Sequence, residues 1–271
     1  MKVKKALIPI AGLGTRFLPI SKIIPKEFLP LGKKPILQHI VEQALEANIK
    51  EFIFVVSPEK ERFLKDYFEK ENEWLLKVLK ERGKQKEIEI LKSIPKLKMK
   101  VVFQNFPAGD GDAILKAEKF LKKEPFLVMF GDDLSLGKES FAKQLIFAFE
   151  KYKKPILCLY QKEKKELSAY GVPKVKKVKE KIYRILDIVE KPKENPPSSF
   201  ALVGNYVLSP EIFKFLKKTP LQNGELILAN ALKMMIKEQR EILGLKVKGK
   251  WIECGTLEKW IENFKNLKNL G

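Results

Sequence analysis

The chain lacks any apolar run long enough to cross a membrane, and 45% of its 271 residues are hydrophobic, as in an ordinary globular protein. Cysteine is scarce. Cys158 and Cys254 are distant thiols without framework or metal-ligand spacing, which excludes a disulfide scaffold and points to a reduced, cytoplasmic setting. The one histidine, His39, has no partner motif around it and reads as a packing or surface residue rather than a catalyst. Lys2, Lys4 and Lys5 before "ALIPI" imitate the charged start of a signal peptide. The apolar segment is too short for one, however, and is soon broken by Gly12, Gly14 and Arg16. Low-complexity linkers and internal repeats are absent too, so the expectation is one composite domain over residues 1–271.

Acidic residues are in deficit: 34 Asp and Glu face 54 Lys and Arg, for a formal net charge of +20. A basic chain can attract nucleic acid, anionic membrane or phosphorylated small molecules. Here lysines alternate with glutamates, as in "EKERFLKDYFEKENEWLLKVLKERGKQKE", which is the pattern of a solvated helix face and also suits a heat-stable protein. Zinc-finger spacing and aromatic RNA-binding signatures are missing, so neither nucleic acid nor membrane is the expected partner.

What is present is an alternation of short β-rich runs with helical patterns. "KKALIPI", "FIFVV", "KVVFQ", "FLVMF" and "PILCLY" read as strands. Pro35 opens a helix with Ile36, Leu37, Ile40, Val41, Ala44 and Leu45 at helical spacing, Ser57-Pro58 caps the next, and another starts near Asp112. This rhythm predicts an α/β fold: a Rossmann-like, mixed but mostly parallel sheet with helices on both faces. From about Tyr170 the pattern changes to antiparallel strands in "YGVPKV", "KIYRILDIVEKP" and "ALVGNYVLS", then helices, late strands in "EILGLKV" and "KWIECG", and a final helix holding Leu257, Trp260, Ile261 and Phe264. The reading is a nucleotide-side first half over about 1–165 and a second half over about 166–271, with a smaller antiparallel region and a C-terminal helix, that closes over a substrate.

The densest chemistry lies in "IPIAGLGTRFLPISKIIPKEFLPL". It carries the first two glycines of G-x-G-x-x-G, but Phe17 stands in place of the third, and the strand before Ser57 supplies no carboxylate for a ribose. No Gly-Lys-Ser/Thr closes a P-loop either. What remains is still a phosphate-binding composition. Ala11, Gly12 and Gly14 let backbone N–H groups approach an anion, Arg16 can fork onto two phosphate oxygens, and Lys26 adds a point charge on a proline-stiffened arm.

The longer stretch "AGLGTRFLPISKIIPKEFLPLGKKPIL" resembles the signature of the sugar-1-phosphate nucleotidyltransferases, and within them the bacterial uridylyltransferases that use UTP and glucose 1-phosphate. Later motifs follow in the family's order. In "FQNFPAGDGDAIL" the resemblance assigns base reading to Gln104 and Gly109, although Ala108, Asp110 and Asp112 depart from the family's Lys-Gly-Leu-Gly-His run. In "LVMFGDDLSL" it makes Asp132 a magnesium ligand with Asp133 supporting it. On the sugar side it implies Gly171, Glu190, Lys191 and Val203, with Asn205 where the family typically has Arg. In "KWIECGTLEKW" Glu253 occupies the place of the family's second metal-binding Asp.

The implied reaction is nucleotidyl transfer from UTP to glucose 1-phosphate, with Mg²⁺ as cofactor and UDP-glucose and pyrophosphate as products. Arg16, Lys26 and Lys191 would be the catalytic cations, and a homo-oligomer is the expected assembly. A dTTP-using or other sugar-nucleotide pyrophosphorylase stays open, because uracil and thymine share a pairing edge. A nucleotide-sugar-binding regulator stays open through Glu253 and Asn205.

Overall fold

The computed structural model describes residues 2–267. Strand β1 (Lys5–Pro9) runs into a long loop of single 3-10 turns at Thr15–Phe17, Ile20–Lys22 and Lys26–Phe28. A small hairpin of β2 (Pro30–Leu31) and β3 (Lys34–Pro35) leads into α1 (Ile36–Glu46), for which Pro35 is the extended N-cap. After β4 (Glu51–Val56), the Lys/Glu-rich stretch breaks into α2 (Pro58–Phe68), α3 (Glu73–Glu81) and α4 (Gln85–Lys92). Next come β5 (Met99–Phe103), α5 (Asp110–Lys116), α6 (Glu118–Leu121), β6 (Phe126–Met129), β7 (Asp133–Leu136), α7 (Phe141–Tyr152) and β8 (Ile156–Gln161). The remainder is β9 (Gly171–Lys177), β10 (Ile182–Glu190), β11 (Phe200–Leu208), α8 (Ile212–Lys218), α9 (Leu228–Lys237), β12 (Leu243–Lys246), β13 (Lys250–Glu253) and α10 (Leu257–Leu267).

Nine strands form one sheet in the order β5-β4-β1-β6-β11-β8-β12-β10-β9. Tracing the pairings across it, β10 and β11 are the two strands that run against the rest, so the sheet is mixed and mostly parallel. Strands of both sequence halves share it, because β11 is inserted between β6 and β8. Its central strands are mostly apolar on both sides because helices cover both faces: Ala6 and Ile8 point into one core, Leu7 into the other. The same split divides β6, with Leu127 and Met129 on one side and Phe126 and Val128 on the other.

Helix α1 buries Ile36, Leu37, Ile40, Val41 and Ala44 as its spacing predicts, while Leu45 is left exposed. His39 is a packing residue: it is buried, its Nε2 lies 2.8 Å from Leu31 O, and burial lowers its pKa. Ser57 is the N-cap of α2, but its hydroxyl donates to Glu59 rather than accepting from the helix backbone. Cys158 and Cys254 are free and buried. Helix α10 packs Leu257 and Trp260 on the main core, Trp260 Nε1 donates to Pro30 O at 2.8 Å, and Ile261 stays exposed. No helix among the described residues is long and apolar enough to cross a membrane.

Candidate active site

The carboxyl ends of β1 and β6 open into a cleft of about 530 Å³. A crevice at that edge is where open α/β sheets bind ligands. The cleft gathers Ala11, Gly12, Gly14, Arg16 and Lys26 from the opening loop, Gln104 and Gly109 from the segment after β5, and Asp132 from the end of β6. Residues some 120 positions apart thus converge on one space. Glu253, Gly171, Glu190, Lys191 and Val203 stand outside its lining, although Glu253 Oε1 lies close to Gly255, which is part of it.

The loop departs from a dinucleotide-binding turn for a structural reason. Phe17 is fully buried in the main core at the end of a 3-10 turn, two more such turns and a small hairpin follow, and the first α-helix begins only at Ile36. An anion in the cleft would therefore meet loop amides and side chains rather than a helix N-terminus. The amides are oriented from below by Lys60, which sequence reasoning missed. Its ammonium donates to Ile10 O at 2.8 Å, to Gly12 O at 2.6 Å and to the Glu27 carboxylate at 3.1 Å. Lys60 and Glu27 are 5% and 2% exposed, so this ion pair is internal. In a trans peptide each C=O points opposite the N–H of the next residue. With carbonyls 10 and 12 turned toward Lys60, the N–H groups of Ala11 and Leu13 point the other way, on the side that lines the cleft.

Lys26 Nζ lies 2.5 Å from Asp132 Oδ2 at the centre of the cleft. Burial alone would lower the Lys26 pKa, but the Asp132 and Glu27 carboxylates outweigh it and hold the ammonium above its ordinary range. Next to Asp132, Asp133 turns away from the cleft. It accepts from Trp251 Nε1 at 2.8 Å and from Gly204 N at 2.9 Å, tying the site to the irregular stretch of β11. Burial, with the neighbouring Asp132 and Glu253 charges, pushes its pKa up to about 7.

The ribbon β7–β13 explains how Glu253 reaches the same place. Glu253 pairs with Asp133, and Cys254 N donates to Asp132 O at 2.8 Å. The two carboxylates converge over Gly255. A Cβ built there would lie 3.3 Å from Asp132 Oδ2, 3.8 Å from Glu253 Oε1 and 4.0 Å from Arg16 Nη1. A small open space flanked by two carboxylate oxygens fits Mg²⁺, which takes one or two protein carboxylates and completes its shell with phosphate oxygens and water. No group of three or more metal-binding side chains occurs among the described residues.

Glu253 is held by its other oxygen. Oε2 accepts from the Tyr170 hydroxyl and from the Lys259 ammonium of α10, and Asn263 Nδ2 fixes its backbone carbonyl at 2.9 Å. Burial and the Glu253 charge raise the Tyr170 pKa, which keeps the phenol a donor. The extra methylene of Glu thus spans from a fixed backbone to Tyr170 and Lys259 while Oε1 stays at the cleft. Glu253→Gln is expected to raise the Mg²⁺ requirement and lower kcat. Glu253→Asp is expected to lower kcat as well, because the shorter side chain cannot keep both connections. A Mg²⁺ titration of turnover checks this, and a gain of activity in Glu253→Asp would contradict it.

The sugar-side residues form a separate edge. Gly171 pairs with Glu190, and a Cβ at 171 would sit 3.0 Å from Glu190 Oε2. Partial burial raises the Glu190 pKa, Lys191 opposes that, and Asp110 reinforces it. Lys191 has φ +46° and donates its N–H to Tyr170 O at 3.0 Å. Tyr170 therefore joins the sugar edge to Glu253. Val203 is fully buried in the main core, so its side chain cannot touch a ligand and only its backbone is left for the role the resemblance implies. Asn205 is also buried, opposite Met129, and supplies no charge to the cleft.

Gln104 and Gly109 occupy the far end of the cleft. Gly109 has φ +95°, and a Cβ there would fall 2.4 Å from Leu226 O, so only glycine fits. Asp110 Oδ1 accepts from Gly111 N at 2.8 Å and Leu228 N at 2.9 Å, which anchors this turn to the start of α9.

A mixed sheet with a phosphate-type loop, a paired Lys and Asp, and a second carboxylate defines a nucleotide-dependent transferase. The nucleotidyl transferase family profile matches residues 5–269, and the chain belongs to that family. It is 38% identical over 262 residues to the UTP–glucose-1-phosphate uridylyltransferase of Streptococcus pyogenes, covering 94% of this chain and 85% of that protein. It is similar to UDP-glucose pyrophosphorylase crystallised with UDP-glucose, with a TM-score of 0.85 and 37% identity over 97% of this chain and 98% of that one. It is also similar to UTP-bound UGPase from Acinetobacter baumannii, with a TM-score of 0.89 and 27% identity over 97% and 93% of the two chains.

Proposed function

We propose that the protein catalyses uridylyl transfer from UTP to glucose 1-phosphate, releasing pyrophosphate and forming UDP-glucose. The observation that carries this reading is the convergence of Arg16, Lys26, Asp132 and Gln104 in one cleft of a chain whose relatives bear that activity. An oxygen of the sugar phosphate attacks the α-phosphorus, and the bond from that phosphorus to the bridging oxygen of pyrophosphate breaks. The attacking group is already an anion, so no general base is needed. Catalysis is the in-line positioning of two mutually repelling anions and the neutralisation of charge as it shifts to the leaving group.

In this reading Arg16 binds the departing pyrophosphate, Lys26 the transferring region and Lys191 the sugar phosphate. Glu190 accepts from sugar hydroxyls, and Gly171 leaves room for that carboxylate. Asp132 and Glu253 would hold Mg²⁺, whose charge offsets that of the phosphates. Gln104 and Gly109 meet the base. A pyrophosphate-release assay tests the reading. Release should require both UTP and glucose 1-phosphate, and should fall when dTTP or another hexose 1-phosphate replaces its partner. No release with any pair of nucleotide and sugar phosphate would refute it.

A further inference from the structure

Gln104 is 5% exposed, and its carboxamide has one donor end and one acceptor end. Nε2 donates to Gly109 O at 3.0 Å and to Asp112 Oδ2 at 2.8 Å. A carbonyl and an ionised carboxylate only accept. Both neighbours thus claim the amide N–H bonds, and a flipped carboxamide would set Oε1 against two acceptor oxygens. Among the described residues Asn205 Oδ1 is the one side-chain polar atom both buried and unpaired, so the unpaired Gln104 Oε1 is open to the cleft that Gln104 lines. Asp112 itself sits behind Gln104 on the first turn of α5, outside the cleft lining, with Lys116 at 3.8 Å as its counter-ion one turn on.

We propose that Asp112 is the positioning residue that sets the pyrimidine choice. By locking the Gln104 carboxamide with Oε1 toward the cleft, it admits bases whose pairing edge presents an N3–H donor, uracil and thymine, and rejects cytosine, whose N3 is an acceptor. The inference rests on Gln104 reading the nucleotide base, as proposed above. It is particular to a carboxylate at 112. An asparagine there would offer a donor as well as an acceptor, so a flipped Gln104 would face one acceptor, Gly109 O, instead of two.

Asp112→Asn is therefore the informative change, since it keeps size and shape and alters only hydrogen-bonding character. Dissociation constants for UTP, dTTP and CTP are measured by titration calorimetry on the unmodified protein, Asp112→Asn and Gln104→Leu. The preference for UTP over CTP is expected to shrink severalfold, up to about tenfold, in Asp112→Asn, because one of the two acceptors that hold the carboxamide becomes able to donate. The UTP to dTTP ratio should not move, because those bases share the N3–H. An equal loss for all three nucleotides would make Asp112 merely structural and overturn the proposal. So would an unchanged UTP to CTP ratio in Asp112→Asn alongside a collapsed one in Gln104→Leu. If Gln104→Leu also leaves that ratio unchanged, or the unmodified protein binds no UTP, the base-reading assignment fails and the inference falls with it.

Discussion

Lys26→Ala is expected to lower kcat by about a hundredfold or more while the protein remains folded, the loss characteristic of a group that stabilises charge in the transition state. The ammonium stands in the cleft within 2.5 Å of Asp132 Oδ2, and Asp132 and Glu27 together keep it charged despite burial. Arg16 and the loop amides, the other groups proposed to hold the triphosphate, are untouched in the variant, so KM should change less than kcat. Lys26→Arg should not restore turnover. The guanidinium is larger and planar, and it cannot reproduce the single short contact that the Lys26 ammonium makes with Asp132 Oδ2. Steady-state pyrophosphate release gives the two constants, and circular dichroism with a melting curve reports the fold. Turnover close to that of the unmodified protein would remove Lys26 from the catalytic machinery.

The parts of this site that were legible in the sequence carry local signals. The strands that lead into the cleft carry short apolar runs, and the loop after β1, Gln104 after β5 and Asp132 after β6 all follow such runs. What was not legible depends on pairing between distant segments. The ribbon β7–β13 is built from two short strands whose register pairs Glu253 with Asp133, next to Asp132; the resemblance tied Glu253 to Asp132, but nothing in "DLSL" or "KWIE" itself announces the pairing. Tyr170 and Lys259 acquire their role only because that ribbon and α10 deliver the Glu253 carboxylate to them. Lys60 and Glu27 look like two more members of a Lys/Glu-rich surface, and only burial separates them from the exposed pairs around them. The missing third glycine was legible as an exclusion. Its reason, a Phe17 side chain that belongs to the core, was not.

The buried pair gives the largest expected change in stability. Lys60→Met keeps most of the stem but removes the ammonium, leaving the Glu27 carboxylate buried without a cation and the carbonyls of Ile10 and Gly12 without a donor. Breaking a buried ion pair from one side costs about 3–5 kcal/mol, which for a domain of this size lowers the melting temperature by roughly ten degrees. The double change Lys60→Met with Glu27→Gln should regain much of that stability, because the uncompensated charge is gone. It should not regain nucleotide affinity, because carbonyls 10 and 12 remain unanchored and the amides of Ala11 and Leu13 are no longer held toward the cleft. Melting curves and a UTP titration on both variants separate the two effects. If Lys60→Met melts like the unmodified protein, the ion pair contributes little. If the double variant binds UTP at full strength, the loop holds its shape without Lys60, and phosphate binding depends on Arg16 and Lys26 alone.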